Sequence, residues 1–325
     1  MRLINHPVLC NYYLTYKCNA KCSFCDIWEI PSQYASLDDI KKNFIHLKKL
    51  GVKIIDFTGG EPLLHPNLPE ILAEAKALKF ITTVTTNGLL YPKKAKELAG
   101  LIDMLHFSLD SSIASEHNTM RGVACFDYVL KSIKIAKELG ETPDILFTVF
   151  KGNFEQIRPV YEQIVLPNKL LMVLNPAFEY NGLGVDDALS PQQLKELSAW
   201  GKKSRVYLND AFITLRRNGG NSTAKPVCKA ASSTVVISPD NKLVLPCYHL
   251  GKESFKVNDN LSNLYSTDAV KNIIQQEGKL PECEGCTINC YMQPSFAVEL
   301  NKYWFKALPS TLKYNYYKST WKQLF

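Results

Sequence analysis

The chain has 325 residues, 46% of them apolar, a length that can bury a full core as one large or two smaller domains. Its net charge of +7 is modest and spread over helical segments, so nucleic acid is not an expected partner. No basic stretch, apolar run and cleavage site open the chain, and no apolar run approaches the ~18 residues of a membrane span. Without export, the clustered cysteines among the ten read as metal ligands rather than disulfides, and the reducing cytoplasm is the expected compartment.

Residues 9–16 form a short strand-like run that leads into Cys18, Cys22 and Cys25, spaced C-x3-C-x2-C. Only 17 residues precede Cys18, so an N-terminal recognition domain is not expected. Thiolates are soft ligands that select zinc or iron–sulfur clusters. A structural zinc site wants four ligands, and no fourth lies near; His46, the next candidate, falls in a helical pattern. Three thiolates on a four-iron cubane leave one iron open for a non-protein ligand, which is the reading the spacing favours.

Ser36, Leu37, Asp38 and Asp39 open a helix with a capping-box-like start, and Gly51 stops it. Strands are expected over 52–57, 80–85, 102–109, 144–150 and 170–174, with helices over 68–79, 92–99, 126–139 and 154–166 between them. Strand and helix alternation predicts βα units on a parallel sheet. Six strands are fewer than a closed eight-unit barrel needs, so the fold class is α/β, a partial (βα)6 parallel barrel. Sites in such sheets sit at the C-terminal strand ends. The cysteine loop, the Gly59, Gly60, Glu61, Pro62 turn, Asn87 with Gly88, and Asp110 all follow strands and should share one rim, with Ser108 at the end of its strand. Each also reads as plain punctuation, since Gly, Pro and Asn build ordinary turns. Asn153 and Asn175 are weaker candidates of the same kind. His6, His65, His106 and His117 make no ligand spacing with the cysteines.

After residue 177 the composition shifts. Residues 180–184 read as loop, Ser190 and Pro191 start a helix, and Asn218, Gly219, Gly220, Asn221 and Ser222 read as a flexible connector. A domain boundary is expected between Arg217 and Lys225, giving a core over 1–217, a cysteine-rich α+β unit over 225–295 and a C-terminal segment over 296–325. Residues 234–238 and 242–245 form a hairpin around Pro239, Asp240 and Asn241, which brings Cys228 and Cys247 together. Cys283, Cys286 and Cys290 form a knuckle after a helix expected over 266–276. From spacing alone, zinc and iron–sulfur are equally good readings of these five cysteines. Cys10 and Cys125 lack partners and read as buried small hydrophobes.

The C-terminal segment interleaves aromatics from Phe296 and Tyr303 to Trp321 and Phe325 with Lys302, Lys306, Lys313, Lys318 and Lys322. A helix docked on the barrel is the leading reading, since most aromatic stripes are core. An interfacial segment touching anionic lipid is the second, and base stacking the third.

C-x3-C-x-aromatic-C, with Phe24 before the last cysteine, resembles the radical S-adenosylmethionine (radical SAM) superfamily. The resemblance implies a [4Fe–4S] cluster on Cys18, Cys22 and Cys25. S-adenosylmethionine (SAM) would chelate its open iron and be cleaved reductively to a 5′-deoxyadenosyl radical. Gly59, Gly60, Glu61 and Pro62 match the family's GGEP motif near the SAM methionyl group, with Glu61 receiving its amino group. Thr86, Asn87 and Gly88 match a strand-end TNG. Ser108 and Asp110 match the S-x-D beside the ribose and carboxylate. His117, Arg121, Gly122 and Phe126 resemble the segment that follows, which places Arg121, a side chain suited to carboxylates, near SAM or substrate.

The order of Cys228, Cys247 and the final knuckle resembles the SPASM or shorter "twitch" extension, which binds auxiliary [4Fe–4S] clusters. The full SPASM set has seven cysteines for two clusters; five here imply one, on Cys228, Cys247, Cys283 and either Cys286 or Cys290, with Cys286 favoured. The family draws electrons from a reductant such as flavodoxin or ferredoxin. The leading expectation is an oxidoreductase-type enzyme acting on a non-peptide metabolite, a sugar, lipid-linked or other small molecule. Maturation of a ribosomal peptide is the alternative, and a non-catalytic iron–sulfur or zinc protein is the alternative of another class.

Overall fold

The structure, a computed structural model, describes residues 1–179 and 189–318. The loop read at 180–184 and the aromatics Trp321 and Phe325 lie outside the described residues. Strands β1 (Leu9–Thr15), β2 (Ile54–Gly59), β3 (Ile81–Thr86), β4 (Met104–Ser108), β5 (Asp144–Val149) and β6 (Leu171–Pro176) pair in parallel, in sequence order. Helices α1 (Leu37–Lys49), α2 (Leu68–Ala77), α3 (Tyr91–Leu98), α4 (Ala114–Arg121) and α5 (Phe126–Glu138) supply the crossovers. Ser36 caps α1 by accepting from Asp39 N, as its spacing predicts.

The sheet runs past both ends of this six-strand arc. β7 (Val206–Tyr207) adds in parallel to β6, and β8 (Thr234–Ile237) adds in parallel to β1. β9 (Lys242–Leu245) and β10 (Glu253–Lys256) follow antiparallel, so ten strands share one sheet. The hairpin is the expected one, with Asn241 in the left-handed region at φ +57°. One helix differs from expectation. The stretch after β5 passes through 3-10 (Phe154–Gln156), α (Ile157–Val160), π (Tyr161–Val165) and α (Leu166–Asn168) turns. The helix expected over 266–276 is present as Asp268–Gln275, started by the Thr267 hydroxyl, which accepts from Val270 N, and a separate short helix, Leu261–Tyr265, precedes it.

Strand alternation decides the two faces. Tyr12, Leu14, Ile55, Phe57, Leu105, Phe107, Ile145 and Phe147 point outward into one core with the crossover helices. The alternate positions Asn11, Tyr13, Asp56, Thr83, His106 and Thr148 face the lumen. The helix Lys302–Lys318 closes the N-terminal end of the barrel: Tyr314 donates to Asp144 Oδ2 at 2.8 Å, and Lys318 Nζ lies 3.1 Å from Asp144 Oδ1. That is the docked-helix reading of the aromatic stripe. Among the described residues no helix is long and apolar enough to cross a membrane.

Candidate functional site

The loop carrying Cys18, Cys22 and Cys25 leaves the C-terminal end of β1 and is held from two sides by backbone. Gly60 N and Glu61 N donate to Thr15 O and Lys17 O at 2.8 and 2.9 Å; Lys21 N and Ser23 N donate to Arg121 O and Met120 O at 3.1 and 3.0 Å. A Cβ on Gly59 would lie 2.0 Å from Thr15 O, on Gly60 2.2 Å from Lys17 O, and on Gly122 2.2 Å from Lys21 O. These glycines therefore serve the approach of the β2 and α4 ends to the cysteine loop. Burial pushes the Cys18 thiol up to about 12 and Cys25 up to about 11. A coordinated metal reverses this, since it deprotonates a thiol outright.

Glu61 ties the next strand ends together. Its Oε1 accepts from Leu63 N at 3.0 Å and Thr86 Oγ1 at 2.8 Å, and its Oε2 from Asn87 N at 2.9 Å. Asn87 Nδ2 then donates to Asn19 Oδ1 at 2.7 Å, inside the cysteine loop. Gly59, Gly60, Glu61 and Asn87 are thus brought to the cysteines, with Thr86 of the same strand-end motif as a partner and Asn19 as one that motif reading passed over. Burial raises the Glu61 carboxyl pKa and its three donors partly offset that.

Asp110, two residues past β4's terminal Ser108, is fully buried. Arg121 Nη2 and Nε donate to its Oδ2 at 2.6 and 2.8 Å, and Thr148 N donates to its Oδ1 at 2.9 Å. Arg121 Nη1 reaches toward Cys22 Sγ at 4.0 Å, with the Phe24 ring stacked 5.2 Å from the guanidinium. Burial opposes the charge on Arg121, but Asp110 and the Cys22 sulfur outweigh it and raise its pKa. Burial likewise pushes His117 down to about 3, leaving it neutral. Its Nδ1 accepts from Asp110 N at 3.2 Å and its Nε2 lies 3.3 Å from the Cys125 thiol, which gives both residues structural partners. Asn153 behaves as a turn residue, its Nδ2 donating to Asp110 O and Thr148 O.

The second cysteine set surrounds a cavity of about 500 Å³ lined by Cys228, Cys247, Cys283 and Cys286, with Tyr291 and Met292 behind them. Cys290 is not in that lining. Asn221 organises the cavity wall: its Oδ1 accepts from Val227 N and Cys228 N at 2.9 and 3.0 Å, and its Nδ2 donates to Gly278 O and Cys283 O at 2.8 and 3.0 Å. Asn221 N also donates to Cys286 O at 3.0 Å. The stretch read as a flexible connector is here a buried clamp, because Asn221 is 1% exposed and its side chain bonds the segments that carry the cysteines. Four thiols around one cavity suit a cubane closed by protein ligands. Burial pushes Cys247 up to about 12, so these too are thiols that a metal would have to ionise.

The family model of the radical SAM superfamily matches residues 12–164. Among curated relatives, GTP 3′,8-cyclase of Chlorobaculum tepidum is 38% identical over 126 residues, covering 37% of this chain and 38% of that protein. The antilisterial bacteriocin subtilosin biosynthesis protein AlbA of Bacillus subtilis is 27% identical over 294 residues, covering 83% of this chain and 62% of AlbA. The matched chain thus spans less than two thirds of either relative's length. Among solved structures, SuiB of Streptococcus suis bound to precursor peptide SuiA superposes with a TM-score of 0.68 at 20% identity, covering 84% of this chain and 67% of SuiB. The anSMEcpe structure with bound AdoMet gives 0.65 at 19% identity, covering 95% of this chain and 97% of that one. At these identities the two structures speak to the fold.

Proposed function

The chain carries a radical SAM domain, and from that premise we propose that it cleaves SAM reductively and removes a hydrogen atom from a C–H bond of a small polar metabolite. Cys18, Cys22 and Cys25 hold the [4Fe–4S] cluster, which with SAM supplies the 5′-deoxyadenosyl radical when bound. The observation supporting this is convergence: Glu61, Asn87, Asp110 and Arg121, from three separate strand ends and α4, all bond to or beside the cysteine loop. Within that reading, Asn87 and Glu61 shape the rim that SAM meets, with Ser108 at its β4 edge. Arg121 acts on the cluster side, through Cys22. Cys228, Cys247, Cys283 and Cys286 hold one auxiliary [4Fe–4S] cluster, and electrons come from a flavodoxin- or ferredoxin-type reductant. The direct test is anaerobic reconstitution. About eight irons per chain with dithionite-dependent 5′-deoxyadenosine formation support two cubanes and the radical chemistry. Absence of both SAM binding and product sinks the reading.

The polar lumen, lined by Asn11, Asp56, Thr83, His106 and Thr148, supports a small, hydrogen-bonding substrate over an apolar one. A peptide substrate is the second reading, favoured by the likeness to AlbA over 294 residues. The two part on a simple assay. A metabolite extract that still accelerates 5′-deoxyadenosine formation after protease treatment supports the first, and loss of the acceleration on protease treatment supports the second.

Peripheral contact with lipid rests on one feature. The helix Lys302–Lys318 turns Phe305, Leu308, Leu312 and Tyr316 outward, with Phe305 and Leu312 each 60% exposed. Replacing both by Ser leaves the contacts of Tyr314 and Lys318 in place and should remove retention on anionic vesicles. Wild-type protein that ignores such vesicles ends this reading.

A further inference from the structure

Two guanidinium groups lie at the C-terminal strand ends, and their surroundings differ. Arg121 has Asp110 at 2.6 Å, and its pKa is raised. Arg216, near the end of the helix Asp210–Arg217, has no carboxylate partner among the described residues. Its Nη2 donates to Pro176 O at 3.4 Å and to Ala177 O, where β6 ends. Its Nε is buried without a hydrogen-bond partner. Burial lowers the Arg216 pKa to about 10, and no acid pulls it back. A cation that loses water without gaining an anion is costly, so a fold that keeps one leaves room for an anion from outside.

Strand alternation and helix spacing turn this group toward the lumen. Met172 and Leu174 lie in the outer core, so Val173 and Asn175 of β6 point inward. Phe212 is one turn before Arg216 on the same helix face, with its ring 5.1 Å from the guanidinium. Phe212 in turn belongs to one cluster with Tyr291 and the lumen-facing Tyr13. Asn289 supplies a second open atom at the same place. Its Nδ2 donates to Asn175 Oδ1, while its Oδ1 is buried with no hydrogen-bond partner, in a residue only 7% exposed. A buried acceptor left open costs free energy unless something donates to it. An open donor and an open acceptor are thus both anchored on residues 175–177.

We propose that Arg216 binds an oxyanion of the substrate, a carboxylate or a phosphate ester, with Asn289 Oδ1 accepting a hydrogen bond from a hydroxyl or amine of the same molecule. The proposal rests on the radical SAM reading above and sharpens it: the small polar metabolite is an anion. The planar guanidinium suits either group, since its N–H fork matches two oxygens at once. The carbonyls of residues 176 and 177 and the Phe212 ring hold that fork in place from one side, which leaves Nε for the ligand. Glu61, Asn87 and Asp110 come from the ends of β2, β3 and β4, whereas Arg216 stands at the end of β6, so the anion it awaits belongs to a second molecule beside SAM. Gripping the substrate at its charged end fixes which C–H bond is presented to the radical.

The test uses wild-type reconstituted holoenzyme, with and without saturating SAM, and 2,3-butanedione, which attacks the neutral form of a guanidine. Peptide mass spectrometry follows modification at Arg216, at Arg121 and at Arg158, whose side chain is 66% exposed. Acetate or inorganic phosphate is added at constant ionic strength. Arg216 should react faster than the ion-paired Arg121. One of the two anions should slow it saturably in the SAM-loaded enzyme, by about threefold at twice its Kd, and leave Arg158 unaffected. Slowing by acetate identifies a carboxylate substrate, and slowing by phosphate a phosphate ester. An Arg216 that reacts no faster than Arg121, or that is slowed only in step with Arg158, overturns the proposal. Full protection by SAM alone also overturns it, because the guanidinium then holds the SAM carboxylate. Wild-type protein that binds no SAM is the separate failure of the radical SAM reading, and the assignment of the anion to a substrate falls with it.

Discussion

Arg121 gives two N–H groups to one oxygen of Asp110, at 2.6 and 2.8 Å, while its third nitrogen stands 4.0 Å from Cys22 Sγ. A buried ion pair is thereby attached to a cysteine of the candidate cluster site. Removing one member leaves the other as an uncompensated buried charge. Arg121→Met should therefore destabilise the protein by about 3–5 kcal/mol, while Arg121→Met with Asp110→Leu should recover most of it. Denaturant unfolding of the three proteins checks this; equal loss in single and double variants would show that the charge pair is not the cause.

Asn221 carries four side-chain hydrogen bonds within the auxiliary wall. Asn221→Ala leaves the Cys228 amide and the Cys283 carbonyl without these partners, each orphan costing about 1–3 kcal/mol. The variant should reconstitute with about four irons rather than about eight, the first cubane being held elsewhere. Full iron content in Asn221→Ala would contradict the clamp.

Gly122 sits at φ +62°, and a Cβ there would lie 2.2 Å from Lys21 O. Gly122→Ala combines left-handed strain with a backbone clash, so it should push the cysteine loop off α4. Iron loss from the Cys18, Cys22, Cys25 site, with the auxiliary cluster retained, is the expected outcome of iron analysis and EPR. Gly140, also at positive φ but with open space around its Cβ position, serves as the control for strain alone.

Burial raises the Asp56 carboxyl from its ordinary 3.8 to about 6, with His106 pulling the other way. A raised acid makes the fold bind a proton that the unfolded chain has released. The stability it contributes is fully present below pH 3.8 and is lost as pH rises through about 6. Asp56→Asn should therefore gain about 2–3 kcal/mol on the wild type at pH 8, with the gain vanishing near pH 4. Thermal melts across that range decide it; a gain independent of pH would place the cause elsewhere.

Alanine at Cys18, Cys22 and Cys25 together should leave about four irons and no 5′-deoxyadenosine. A triple variant that kept all its iron would move the first cluster off these residues.

Local chemistry in the chain determined the cysteine triplet, the strand-end motifs and the six alternating βα units, because ligand type, turn residues and hydrophobic period are written within a few residues of each other. The hairpin around Asn241 and the Ser36 cap were legible for the same reason. Tertiary structure alone decided what those residues touch. Glu61 and Arg121 were expected beside SAM on motif position. Their buried partners Thr86, Asn87 and Asp110 come from other strands, at separations no local pattern encodes. Asn221 looked like a linker because Asn, Gly and Ser are cheap to solvate; only folding reveals that its amide is the one group matching four backbone atoms around the auxiliary cavity. Cys286 and Cys290 are one helical turn apart in sequence, and spacing could not separate them. Folding does: Cys286 lines the auxiliary cavity and Cys290 is absent from its lining, because Cys286 precedes the first turn of the helix Asn289–Val298 and Cys290 lies within it.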